Sequence, residues 1–328
     1  MRTKLLILAA ACSLAASAQQ VEITSRQQLL KGTESGICNP VLSADGQKLL
    51  FTHADYKGLK LYDFSSDVTT TIATDDMAGF HPSFSRDGKS VYFLSQTRED
   101  MRVYREVKSY NLEARTSMAV TEKARGMQAP VAVDGGFAAV SDNGRKLKAD
   151  RKGGTYVYAR GAQLIVVRNG KEQQLQPVAT DHTYMWESLS PDGNKILFYA
   201  GGKGAYVCDL EGNVLASLGR YEAPRWAGND YVVAENATND GHQYESCQIM
   251  LLKADGSFKY ALTKPETMTM NPSASANGSR IAYNTIDGRT VARTTTNVVN
   301  VSDLAEGAYI AKVYTLSGCE SRQIVVKH

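Results

Sequence analysis

An all-β fold follows from three features of this 328-residue chain. A short phrase occurs four times, an apolar run stands behind each copy, and prolines sit just ahead of most copies. The phrase is Ser-x-(Asp/Asn)-Gly-x-x. Its copies are Ser43 to Gly46 before Leu49-Leu50-Phe51, Ser85 to Gly88 before Val91-Tyr92-Phe93, Ser190 to Gly193 before Ile196-Leu197-Phe198, and Ser275 to Gly278 before Ile281-Ala282-Tyr283. An Asp-Gly or Asn-Gly pair between strand formers signals a hairpin, because Gly takes a positive φ at no steric cost. Weaker copies, Val133-Asp134-Gly135-Gly136 and Ala227-Gly228-Asn229-Asp230, fill the gaps. Successive turn glycines (Gly46, Gly88, Gly136, Gly193, Gly228, Gly278) then lie 35 to 57 residues apart, which suits one four-stranded blade per repeat. The predicted fold is a six-bladed β-propeller of four-stranded antiparallel blades.

The chain opens with a targeting segment. Arg2 and Lys4 precede the apolar stretch Leu5 to Ala11, and Ala16-Ser17-Ala18 offers a small-residue cleavage site before Gln19. Residues 1–18 read as a secretory signal peptide. Ala9 to Cys12 is the alternative, a lipoprotein box, and Ala9 departs from the usual Leu three positions before the cysteine. Residues 19–36 are a lead-in, and 37–290 carry the repeats. No later stretch reaches the ~18 apolar residues a membrane span requires. The mature protein is therefore expected not to span a membrane; a monomer is expected as well. Hydrophobic content of 43% suffices for a core. The formal net charge of +3 gives no argument for nucleic acid. Cys38, Cys208, Cys247 and Cys319 are too scattered to form a disulfide framework and read as buried or incidental thiols.

Within the repeats, the run after each turn is continuously apolar, as expected of a strand covered on both faces. Pro40, Pro82, Pro130, Pro224 and Pro272 lie upstream of five turns, and Trp186-Glu187 stands at the equivalent place in the fourth blade. Proline cannot donate to a ladder and belongs on an edge strand. These positions therefore mark the inner strand of each blade, beside the central channel. Gly204 to Asp209, Gln248 to Leu252 and Gln163 to Val167 read as outer strands of blades four, five and three.

The phrase resembles the repeat of the TolB-type propeller family, Pro-x-x-Ser-Pro-Asp-Gly-x-x-Ile-x-Phe. Ser190 to Phe198 matches it nearly letter for letter, and the likeness runs from about residue 37 to about 283. The resemblance implies a propeller of the cell envelope. Only about 18 mature residues precede the first blade, so the α/β domain that TolB carries ahead of its propeller is not expected. The C-terminal segment, 291–328, together with the Asp287-Gly288-Arg289 turn before it, resembles the sorting domain of type IX secretion substrates. The matching letters are Gly288, Arg289, Leu304, Gly307, Tyr309 and Gly318, with the final strand Ile324 to Lys327. The other reading makes Ala308 to Tyr314 and Arg322 to Lys327 the closing strands of blade six. The location implied is outside the cytoplasm, in the periplasm or at the outer membrane and cell surface.

Catalytic signals are sparse. No Gly-x-Ser-x-Gly accompanies the repeats, so a prolyl-oligopeptidase-type hydrolase is not expected. The phrase also lacks the Trp of sialidase boxes. His53, His81, His182 and His242 form no metal-ligand pair. No catalytic residue, metal ligand or cofactor is assigned. The residues just ahead of the inner strands ring one mouth of the channel: Asn39, His81, Gln128, Trp186, Glu187, Glu222 and Asn271. Polar groups and one indole around a funnel suit a peptide or a sugar. Arg145, Lys146, Lys148, Arg151 and Lys152 read as a solvated basic loop, and Asn239 to Gln243 as a loop able to reach a partner. The expected function is a non-catalytic binding or scaffold module for an envelope protein or peptide, or for a glycan. The alternative is a metal-dependent polysaccharide lyase of the oligogalacturonate type, with a divalent cation in the channel and His81 or His182 as its ligands.

Overall fold

The structure is a computed structural model that describes residues 23–29, 37–141, 146–149, 154–239, 244–285, 307–315 and 318–326. The signal segment, Arg145, Arg151, Lys152, 240–243, Gly288, Arg289 and Leu304 lie outside the described residues. The fold is an all-β propeller built from antiparallel sheets.

Sheet 1 holds β1 (Ile37–Leu42), β2 (Lys48–His53), β3 (Leu59–Asp63) and β4 (Val68–Ala73). Sheet 2 holds β5 (Ser83–Phe84), β6 (Ser90–Glu99), β7 (Arg102–Asn111) and β8 (Thr116–Ala119). Sheet 3 holds β9 (Val131–Val133), β10 (Gly136–Val140) and β11 (Lys146–Ala149), and sheet 4 holds β12 (Tyr156–Arg160), β13 (Gln163–Arg168) and β14 (Lys171–Leu175). Sheets 5 and 6 have four strands each: β15 (Tyr184–Leu189), β16 (Lys195–Ala200), β17 (Gly204–Asp209) and β18 (Val214–Gly219), then β19 (Glu222–Ala227), β20 (Tyr231–Asn239), β21 (Tyr244–Lys253) and β22 (Lys259–Ala261). Sheet 7 is the pair β23 (Thr269–Ala274) and β24 (Ile281–Thr285). The tail forms β25 (Gly307–Thr315) and β26 (Gly318–Val326), which pair with each other and with no other strand among the described residues.

The expected count of six four-stranded blades does not hold. Four sheets have four strands, and the others are narrower among the described residues. The expectation failed between Gly136 and Gly193, the widest gap. There, Gln163 to Val167 is not an outer strand of the third blade. It is the middle strand of a separate sheet, with Leu164 to Val167 fully buried. Its hairpin, with Arg160 opposite Gln163 and Gly161 at φ 60°, carries no Ser-x-Asp-Gly phrase.

Each sheet packs face to face on the next. Leu50 and Phe93 share one core cluster, as do Leu94 and Phe137, and Val140 and Tyr158. Val166 shares a cluster with Phe198, Leu197 with Trp226, and Ile281 packs against the cluster that holds Val233. The ring closes where Ala282 of sheet 7 joins Leu42 and Phe51 of sheet 1. Hydrogen bonds seal that seam: the Leu42 amide donates to Ser273 Oγ (3.0 Å), and Arg280 Nη1 donates to the Gly46 carbonyl (3.0 Å).

The three Ser-x-Asp-Gly copies build the same turn, whereas in the fourth Ser275 Oγ accepts from the Arg280 amide at 3.0 Å and Asn277 Oδ1 accepts from Ser279. Ser190 Oγ donates to Asp192 Oδ1 at 2.5 Å and accepts from the Lys195 amide at 2.9 Å, with Gly193 at φ 75°. Ser43 and Ser85 repeat this with Asp45 and Asp87. Ser190 is 2% exposed, so truncating its hydroxyl strands a buried amide. Ser190→Ala is expected to lower stability by about 1–3 kcal/mol, read from the urea midpoint.

Candidate functional site

Inner strands of the sheets carry a common irregularity. The ladder shifts register between Cys38 and Val41, Met185 and Ser188, Glu222 and Arg225, and Met270 and Ser273. Each shift is a bulge, with an extra residue on the inner strand that re-aims its side chains. The bulged residue takes left-handed backbone: Asn39 at φ 51°, Trp186 at 54°, Ala223 at 46° and Asn271 at 53°. His81, just ahead of β5, has φ 48°. Three of these residues precede a proline in the strand, and His81 precedes Pro82. Proline excludes the α region for its predecessor and leaves an amide unmade, so the sequence itself breaks the ladder there. Non-glycine residues rarely hold positive φ, and such strain concentrates at functional sites.

Of the seven channel-mouth residues read from the sequence, Asn39, His81, Trp186 and Asn271 occupy this bulge position. Glu187 follows Trp186, and Glu222 precedes Ala223. Gln128 lies ahead of Pro130, where its amide donates to the Val140 carbonyl at 2.8 Å. The Trp186 indole stands edge-on against Tyr199 at 5.3 Å. His81 packs edge-on against Phe80 at 4.6 Å.

Two residues that the sequence reading passed over organise the charge. Arg225 is enclosed by protein, and it interacts electrostatically with Glu187 of sheet 5, Glu235 of its own sheet and His81 of sheet 2. Arg225 stands two residues after the bulge at Ala223 on the inner strand β19. By accessible surface Arg225 is part-buried and the His81 residue is exposed, although protein atoms crowd the surroundings of both side chains. Residues lining a narrow channel combine these properties. Glu235 is 4% exposed and accepts the Asn271 amide at 2.6 Å, while Glu187 accepts the Ala159 amide at 2.9 Å. The Asn271 side chain donates to Asn284 Oδ1 at 2.9 Å.

A signal for Arg225 was present in the repeat. After the bulge the other strands place Val41, Ser83, Val131, Ser188 and Ser273, all small. Arg225 is the departure. Glu235 likewise ends an apolar run, Tyr231 to Ala234.

Electrostatics in the lumen follow from enclosure. Burial raises the Glu187 carboxyl, and its backbone hydrogen bonds and Arg225 oppose that rise. Glu235 is raised by burial and by Glu222, against its Asn271 bond and Arg225. His81 is pushed down to about 4, chiefly by burial and further by Arg225. A histidine whose folded value lies below its unfolded one leaves the unfolded chain binding more protons between the two. Stability contributed here is therefore full above about 6.5 and lost as pH falls towards 4. Proton NMR should find a His81 midpoint near 4, and a midpoint near 6.5 would contradict the enclosed lumen.

Cys208 and Cys247 are buried, their thiols pushed up to about 12 by burial, which makes them poor nucleophiles at neutral pH. Among the described residues no three His, Cys, Asp or Glu side chains group as metal ligands. Arg225 beside His81 opposes a second cation there. No helix among the described residues is long and apolar enough to cross a membrane.

No family model matches the chain, and no curated protein matches it in sequence. Among solved structures, the β-propeller domain of Cps50 (Swd1) from Myceliophteria thermophila superposes with a TM-score of 0.53 at 10% identity. That match covers 79% of this chain and 95% of that one, and it shows the propeller fold. TolB from Acinetobacter baumannii matches with a TM-score of 0.47 at 21% identity, over 70% of this chain and 55% of that one. This chain thus spans about half the length of that protein. An oligogalacturonate lyase in complex with manganese matches at 0.48 and 13% identity, over 77% and 74%.

Proposed function

We propose that the chain is an exported, non-catalytic β-propeller that binds an envelope protein or peptide, with a glycan as the second ligand class, at the mouth of its central channel. The single observation that carries this is the lumen itself. The bulged inner strands carry an indole at Trp186 and charged groups at Glu187, Glu222 and Arg225, which supports a polar binding mouth there. Such a set can hold a polar ligand by hydrogen bonds and stacking, and it supplies no paired acid, base and nucleophile. Among the described residues, no donor set for the oligogalacturonate-type lyase reading gathers at His81.

The TolB-like phrase and the signal segment support an envelope location. The tail letters Gly307, Tyr309 and Gly318, with their strands β25 and β26, support a type IX sorting role. Intact mass of the mature protein from its native cells tests the tail, since loss of roughly the last forty to sixty residues (the span of the motif) is expected if it sorts. For the binding role, the test is capture from envelope extract. The wild type should retain one protein stoichiometrically, and Trp186→Ala should weaken retention about tenfold or more, the size of one aromatic anchor. Equal retention by both would move the site elsewhere. Release of unsaturated sugar from pectic fragments would replace the reading with an enzyme.

A further inference from the structure

Arg225 is an enclosed guanidinium with little to hold. A guanidinium offers five N–H donors. Arg225 has one long hydrogen bond, from Nη1 to the carbonyl of its neighbour Pro224 at 3.4 Å, and no carboxylate oxygen within 4.0 Å among the described residues. Glu187 and Glu235 are near enough to act on it electrostatically, yet each spends its carboxylate on a backbone amide of another strand. Its other nitrogens are not sealed from water, so these donors stand open to a partner entering the channel.

A second, independent oddity lies beside it. Glu222 and Glu235 are direct cross-strand partners on β19 and β20, so their side chains share one face about 5 Å apart at Cβ. Like charges placed so are destabilising. The Glu222 side chain makes no hydrogen bond or ion pair among the described residues, and Arg225 acts on Glu235 only at a distance, without an ion pair. The site therefore offers free donors from Arg225 next to acceptors in excess on Glu222 and Glu235.

We propose that this corner of the lumen captures the free N-terminus of a polypeptide. The terminal ammonium sits between Glu222 and Glu235, and the first carbonyl oxygen accepts from Arg225. The assignment rests on reading the lumen as the binding site and names the chemistry it takes. A simple anion would satisfy Arg225 but meet the carboxylates. A glycan would satisfy hydrogen bonds but leave the Glu222–Glu235 repulsion uncompensated. An ammonium next to a carbonyl answers both, and every polypeptide N-terminus has that pair at a fixed separation. Trp186, edge-on to Tyr199, is placed to take the following side chain against its face.

The test uses a tripeptide amide with a free amine and its N-acetylated form, followed by fluorescence of Trp186 and Trp226, the two tryptophans of the chain. The free amine should bind at least tenfold more tightly than the acetylated peptide. Glu222→Gln should remove most of that difference without touching the buried core, and Arg225→Gln should weaken the free-amine peptide by a similar factor. Equal binding of the two peptides would overturn the N-terminus assignment. Absence of binding by either would also overturn it, while the wider binding role stands or falls on whether Trp186→Ala abolishes capture.

Discussion

Phe198→Ala should cost about 3–5 kcal/mol, the range for an aromatic side chain removed from a close-packed core. Phe198 has no accessible surface, stands edge-on to Tyr184 at 5.3 Å, and stacks on Tyr206 at 5.8 Å. Its cluster draws Val157, Leu164, Val166 and Leu175 from sheet 4 against sheet 5, so the loss reports whether these two sheets pack. Tyr260, 40% exposed on the outer strand β22, is the control and should change stability by no more than about 0.5 kcal/mol. Equilibrium unfolding in urea measures both. A cost below about 1 kcal/mol for Phe198→Ala would mean that sheet 4 does not cover sheet 5.

A second large effect is expected at Gly204. Its φ of +127° lies where side-chain-bearing residues rarely go, and an added Cβ would lie 2.5 Å from the Gly219 carbonyl oxygen. That oxygen belongs to the backbone and cannot swing aside. Strain of about 1–3 kcal/mol and overpacking of similar size together put Gly204→Ala at about 3 kcal/mol or more. The damage would reach the site, because Gly204 pairs with Ala200 and Ala205 with Tyr199, and Tyr199 supports Trp186. The variant should therefore lose ligand capture at temperatures where it remains folded. A variant with unchanged stability and capture would contradict the close approach of β17 to β18 at Gly219.

Much of this architecture could be read from residue types alone. Ser-x-Asp-Gly is legible because every polar group of the phrase is used in the turn. The hydroxyl and carboxylate bond to each other and to following amides, and the glycine takes the left-handed backbone. Proline located the inner strands for an equally local reason, since it forces its predecessor out of the helical region and removes an amide from the ladder. Asn39, His81 and Asn271 could thus be placed at the inner strands from proline alone, and Trp186 by its equivalent place in the repeat.

The missed features are those without a local signature. Sheet 4 turns on Arg160-Gly161-Ala162-Gln163, a hairpin with no repeat letters, and its strand Leu164 to Val167 looks the same whether central or peripheral. Burial from neighbouring sheets decides that, and burial is a tertiary property. Arg225 and Glu235 escaped because a charged residue in an apolar run ordinarily reads as the strand's end. Only when the repeats are superposed does Arg225 stand out against Ser83, Ser188 and Ser273.

Hydrogen exchange of the protein alone and with its captured envelope partner tests the central claim, that binding occurs in the lumen, most directly. The account predicts added protection in β15, β19 and β23 and around His81, with the outer strands β4, β8, β18 and β22 unchanged. Protection confined to those outer strands, with the inner edges unaffected, would contradict it.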